Sequence, residues 1–208
     1  MEKHMPLARI GGKILFFAHI PKTGGSSIEA YLSRKGSVAL KFPRRLGWSK
    51  STAQHMHAEI HRRLIPDGFY DHGFSVVRDP VARMASEFCF PEDRRTKGFD
   101  FDHWVADIFA RHPERPYDLD NHIRPQHQFL CPGMTVFRFE DGLDKVFDWI
   151  DAVTDGVRAE RDIWEKKSSS PPVIISPESR RLIETFYAED MAVIAQLAAS
   201  PAPMVWGQ

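Results

Sequence analysis

The chain reads as an α/β protein, a parallel sheet with helices on both faces. Three observations predict this. Short apolar runs alternate with amphipathic stretches along the sequence, as strands joined by crossover helices do. The clearest run, residues 13–19 (KILFFAH), leads straight into a glycine-containing loop and a helix-forming stretch. The composition is ordinary for a globular chain: 42% hydrophobic, 27% charged and 12% aromatic in 208 residues. That is enough to bury a core and too apolar for wholesale disorder. One domain over 1–208, with its core at about 13–197, is the expected organisation.

The elements follow in order. After the strand at 13–19 and the loop at 20–25, Ser26 and Ser27 can cap a helix to about Arg34. A short strand is expected at 38–42, then a basic, polar loop. Ser51 or Thr52 can cap a helix through about Leu64, which Pro66-Asp67-Gly68 breaks. Residues 74–77 form a second buried strand. Asp79 and Pro80 supply an N-cap and a first-turn proline for a helix to about Cys89. A helix at 101–111, a strand at 135–139 and a helix at 143–153 come next. After a loop at 166–177, one long helix covers 178–197.

Lys plus Arg and Asp plus Glu both total 28, and zero net charge argues against a generic nucleic-acid binder. The zero conceals a split. Residues 1–65 hold 12 Lys and Arg against three acids, a charge of +9, and the remainder carries −9. Either the halves neutralise each other across the fold, or the basic third meets an anionic ligand. No stretch approaches the ~20 apolar residues of a membrane span, and the first residues lack a signal-peptide core. Cys89 and Cys131 form no CxxC pattern and are expected as reduced thiols. A cytoplasmic protein is the expectation.

Two segments carry chemistry. AHIPKTGGSS follows the first strand and opens the first helix. Adjacent glycines let backbone N–H groups turn inward as an anion nest, and the helix start adds further N–H groups. Lys22 supplies charge, and Thr23, Ser26 and Ser27 supply hydroxyls. A phosphate- or sulfate-like group suits this set; a plain strand–turn–helix connection is the alternative. The loop is not a Walker A sequence, because its lysine precedes Gly24 and Gly25. The second segment is FSVVRDPVARMASEF. Arg78 ends a strand, where ligands bind in open α/β sheets, and Arg83 and Ser86 share a helix face. They suit a second anionic group, or else Arg78 pairs with a nearby acid and Ser86 is a small helix residue.

At HIPKTGGSS (19–27) and RDPVARMAS (78–86) the chain resembles the sulfotransferases that use 3′-phosphoadenosine 5′-phosphosulfate (PAPS). It looks closest to the carbohydrate-type family that includes heparan sulfate 2-O-sulfotransferase and small bacterial members. NHIRPQHQFL, VFRFEDGLD and FYAEDMAVI extend the likeness over about 14–197. The resemblance implies a P-loop NTPase-like three-layer fold. It also implies sulfuryl transfer to an acceptor hydroxyl, on a carbohydrate, with adenosine 3′,5′-bisphosphate (PAP) as product and no metal required. Lys22, Thr23, Gly24, Gly25, Ser26 and Ser27 would hold the 5′-phosphosulfate, and Arg78 and Ser86 the 3′-phosphate. Where the family often has Thr, this chain has Ser26, which keeps the hydroxyl. The membrane anchor of Golgi relatives is not seen, which fits a cytoplasmic, bacterial setting.

The attacking hydroxyl needs a base, and histidine is the usual choice. In the resembled family a histidine matching His55 serves, with His57 as the fallback. His122 and Gln126 would touch the acceptor or the nucleotide, or pack structurally. Lys41, Arg44, Arg45 and Lys50 would grip an acidic acceptor or form a solvated face. Arg138 and Glu140 read as a structural ion pair. A P-loop kinase or NTPase, and a non-catalytic module of the same fold, remain as alternatives. The sequence does not give the acceptor's identity or the oligomeric state.

Overall fold

The computed structural model describes residues 6–40, 45–90, 94–162, 172–200 and 202–207, without the side chains of Arg95 and Thr96. Gly11 (φ 56°) and Gly12 (φ 82°) both lie in the left-handed region, the demand of a tight two-residue hairpin. They join β1 (Leu7–Ile10) to β2 (Lys13–Ala18), antiparallel, with Ile10 opposite Lys13. The remaining strands are β3 (Ser37–Ala39), β4 (His72–Val77), β5 (Thr135–Arg138) and β6 (Met204–Val205), in the order β3-β1-β2-β4-β5-β6. Here the expectation needs correction. Only the central trio β2-β4-β5 is parallel, and β1 and β6 pair antiparallel to their neighbours. A two-residue turn can join only antiparallel strands, so the hairpin fixes that side of the sheet.

The helices are α1 (Gly25–Lys35), α2 (Ala58–Leu64), α3 (Pro80–Phe88), α4 (Phe101–Arg111), α5 (Leu143–Val153), α6 (Pro177–Phe186) and α7 (Ala188–Ala198). Alternation along β2 divides the core. Leu15 and Phe17 pack with Ile28, Tyr31, Val146 and Ile150 of α1 and α5. Phe16 and Ala18 point to the opposite face, against Ile65, Cys131 and Met134. Val77 and Val136 meet Val193 and Leu197 of α7 on a further cluster, and α3, α4 and α6 share another around Met84, Phe88, Val105, Ile108 and Ile183. The sheet is therefore mixed α/β, flanked by helices. Among the described residues no helix is long and apolar enough to cross a membrane, and Cys131 is a buried thiol.

α4 and α5 have the expected bounds, and Asp79 caps α3 as expected, accepting from Ala82 N at 2.8 Å. Three expectations fail, each for a tertiary reason. The long C-terminal helix breaks at Tyr187 (φ −106°, ψ 33°). This residue is buried and donates its hydroxyl to Ile123 O at 2.6 Å. The helix expected from Ser51 or Thr52 starts only at Ala58, with His57 as extended N-cap. The Thr52 amide and hydroxyl are taken by Asp120 instead. In α1 the cap is Gly24, not Ser26 or Ser27, which sit inside the first turn. Of the strand expected at 38–42, residues 37–39 form β3, and positions 41–42 lie outside the described residues.

Candidate active site

Parallel β2 and β4 end side by side, so the loops that leave them are neighbours. In the loop after β2, Thr23 is fully buried and gives its hydroxyl to Ile20 O at 2.8 Å. Its side chain therefore braces the loop rather than facing a ligand. Lys22 is held at φ 69°, a conformation that costs a non-glycine residue ~1 kcal/mol or more. Gly24 (φ 84°) accepts the amides of Ser27 and Ile28. Gly25 is required for space: a Cβ there would lie 2.0 Å from His19 Nε2. The His19 ring is fixed from its other side, where Nδ1 lies 2.7 Å from Glu29 Oε1 and 2.8 Å from Gln54 Nε2, and Gln54 Nε2 donates to that same Glu29 oxygen at 2.9 Å. All three side chains are buried.

Arg78 follows β4. Gln126 clamps its backbone, accepting from Arg78 N at 2.9 Å and donating to Arg78 O at 2.8 Å. Gln126 is thus committed to the scaffold. Arg78 Nη1 donates to Lys22 O at 3.0 Å, which ties the two loops together. Its guanidinium lies 4.6 Å from the Phe139 ring centre, and its Nε is buried with no hydrogen-bond partner among the described residues. Burial lowers its pKa, and Glu140 and Asp79 only partly offset this. Such a dehydrated guanidinium suits an anion. It lines a pocket of about 400 Å³ with Ala82, Phe139, Glu140, Gly142 and Leu143. Ser86, partly buried, lies one turn beyond Ala82 on α3.

Arg83 does not join Ser86 as a grip. It is 0% exposed, donates to the carbonyls of His122 and Arg124, and stacks on Tyr187. Arg138 pairs with Asp141 rather than Glu140, and Glu140 accepts from Asp79 N. Arg45 is exposed, reaching Lys50 O at 3.4 Å. Lys41 and Arg44 lie outside the described residues.

Three histidine rings form a row. His55 stands edge-on to His19 (centroids 5.1 Å apart) and to His122 (4.7 Å). Each ring is held through Nδ1 by a carboxylate: His19 by Glu29 at 2.7 Å, His55 by Asp120 at 2.8 Å, His122 by Glu87 at 2.7 Å. Phe90 stacks on His122 at 6.3 Å and carries the Lys22 ammonium 3.7 Å from its ring centre. The lysine of the first loop and the histidine row therefore border one site. His57 lies elsewhere, its ring 5.9 Å from that of Tyr117 and Nε2 3.8 Å from Glu59. Among the described residues no group of three or more His, Cys, Asp or Glu is placed to hold a metal ion.

Sequence reasoning missed Glu29, Gln54, Glu87, Phe90 and Asp120, and assigned His19 no role. Asp120 carries the strongest local sign. Leu119, Asp120 and Asn121 have successive positive φ values of 53°, 56° and 66°. The bend delivers the Asp120 carboxylate to Thr52 and His55, while Asn121 Nδ2 donates to His55 O at 2.7 Å. Burial pushes the His55 pKa down to about 3, with His122 and His19 adding to the fall and Asp120 opposing it. Burial likewise brings His61 to about 4. Both rings are neutral at pH 7.

Two outcomes follow from this packing. Gly25→Ala should lower stability by about 1–3 kcal/mol through collision with His19, read as a lower urea midpoint at unchanged m-value. An unchanged midpoint would contradict it. His55 and His61 also set a pH dependence. Their folded pKa values lie below the usual ~6.5 of an unfolded chain. The unfolded state therefore binds more protons below that pH, and stability falls as pH drops from about 6.5 towards 4. His127 acts in the opposite sense, because Asp190 raises its pKa. Urea midpoints measured from pH 7 to 4.5 should decline in wild type and decline less in His61→Leu; equal slopes would contradict the assignment.

A model of the sulfotransferase family matches residues 11–193, which include both loops and the histidine row. Searches of curated proteins and of solved structures give no match. The matched span covers most of the 208 residues, and the chain belongs to the sulfotransferase family.

Proposed function

We propose that this protein transfers a sulfuryl group from PAPS to an acceptor hydroxyl on a carbohydrate, releasing PAP. One observation carries the reading. The Lys22 loop and Arg78, two cationic segments joined by the bond from Arg78 Nη1 to Lys22 O, border a neutral, carboxylate-held histidine. Two separated anionic groups on one nucleotide match two cationic segments. The strand–loop–helix order around Lys22 supports a P-loop-like three-layer fold, and the breadth of the family match supports one domain over 1–208. Two cysteines without a CxxC pattern support a reducing, cytoplasmic setting.

Roles follow from position. Lys22, the amides at Gly24 and Gly25 and the hydroxyls of Ser26 and Ser27 hold the phosphosulfate. Thr23 shapes this loop from within. Arg78 and Ser86 hold the 3′-phosphate beside the pocket under Phe139. His55 is the general base. With Nδ1 donating to Asp120, its Nε2 is the accepting nitrogen. The acceptor O–H bond breaks as the oxygen attacks sulfur, and its proton passes to Nε2. The S–O bond to the nucleotide phosphate breaks, and its electron pair leaves with PAP. The charge that builds on the leaving oxygen is met by Lys22 and the loop amides. Asp120 then stabilises the imidazolium, as the acid of a catalytic triad does.

Titration calorimetry with PAP, and transfer of labelled sulfate from PAPS to a sugar panel, test this reading. Lys22→Ala and Arg78→Ala should each weaken PAP binding roughly tenfold or more, the loss of a charge-assisted contact. His55→Ala should keep PAP affinity and lose about 10²–10⁴ in turnover. Tight Mg-ATP binding with none for PAP, or normal turnover by His55→Ala, would overturn it.

A further inference from the structure

His122 is anchored more thoroughly than a bystander needs to be. Its Nδ1 meets Glu87 Oε2 at 2.7 Å, and Glu87 is 2% exposed. Arg94 Nη2 stands 3.4 Å from the other Glu87 oxygen and balances its charge. The His122 carbonyl accepts from the buried Arg83, and its ring is packed between Phe90 and His55. None of these contacts uses Nε2, and no described residue bonds it.

Counting donors and acceptors gives this a chemical meaning. A carboxylate can only accept, so in the neutral form of His55 and of His122 the Nδ1–H donates to it and Nε2 is the acceptor. The ring centres lie 4.7 Å apart, a separation within the reach of two neighbouring hydroxyls of one small molecule. A lone alcohol has one proton to give and would leave one nitrogen unpaired as water is displaced, a costly arrangement. Two hydroxyls on adjacent carbons satisfy both.

We propose that His122 is a second acceptor-contacting residue and that the acceptor presents a vicinal diol. One hydroxyl gives its proton to His55, and the other hydrogen-bonds to His122 Nε2. Glu87 is then a positioning residue that fixes the His122 tautomer. The fate of the first hydroxyl rests on the sulfotransfer reading, whereas the second contact is a statement about binding alone.

The test uses full-length protein and methyl pyranosides, each compared with analogues deoxygenated at one of two adjacent positions. The ¹⁵N shifts of both Nε2 atoms are followed in wild type, with and without PAP. Both should move with a vicinal diol, and only one with the deoxygenated partner. In turnover from PAPS, His122→Ala should raise the KM for the diol about tenfold, the equivalent of one hydrogen bond, with kcat changed far less. Deoxygenation should then cost the variant little further. Glu87→Gln should raise KM in the same direction, and it covers the case in which His122→Ala does not fold. An unmoved His122 Nε2, or equal binding of the diol and its deoxygenated analogues, overturns the proposal. Paired shifts in a protein that never transfers sulfate would uphold the diol site and refute the sulfotransfer reading instead.

Discussion

The Asp120 carboxylate is shared between Thr52 and His55, and the arrangement of the candidate site depends on this junction. It lies on three successive left-handed residues, none of them glycine, which is conformational strain of order 1 kcal/mol per residue. Such strain persists only where other bonds over-determine it. Here Asn121 Nδ2 returns to the His55 carbonyl and Arg124 Nε reaches Asn121 Oδ1. The consequence runs in both directions along the chain. With its hydroxyl held by Asp120, Thr52 does not cap a helix; α2 starts only at Ala58, and His55 is presented from a turn.

The sheet supplies the second constraint. Because β2 and β4 run parallel and adjacent, both of their outgoing loops lie on one edge, where open α/β sheets bind ligands. The bond from Arg78 to the Lys22 carbonyl locks that adjacency, and Gln126, itself capped by Asp190 at its backbone amide, locks Arg78. The loop after β2 needs its two glycines for different reasons. Gly24 provides the left-handed cap, and Gly25 clears room for His19.

Much of the scaffold was legible because it is local. Periodicity placed α4 and α5, Asp79-Pro80 placed the start of α3, and the central strands followed from apolar runs. What was lost is what distance in sequence decides. The β1 hairpin was overlooked although Gly11-Gly12 announces it. The break at Tyr187 answers to Ile123, 64 residues away. The two cationic segments and His55 were legible as motifs, whereas the carboxylates behind the histidines were not. His55 and Asp120 are 65 positions apart, and His122 and Glu87 are 35 apart. An acid at such a distance looks like any other acid until the chain folds. Thr23, Gln126 and Arg83 show the converse: polar residues inside a motif can serve the scaffold.

The account's central claim is that Asp120 makes His55 a base by holding its tautomer. The most direct measurement is Asp120→Asn, assayed side by side for PAP affinity and for sulfate transfer from PAPS to methyl pyranosides. The amide can still bond Thr52 and His55 but can favour the wrong tautomer. A fall in kcat of about 10²–10⁴ at unchanged PAP affinity is the predicted result, by the logic of a triad acid. Wild-type turnover by Asp120→Asn, or loss of PAP binding in step with turnover, would contradict it.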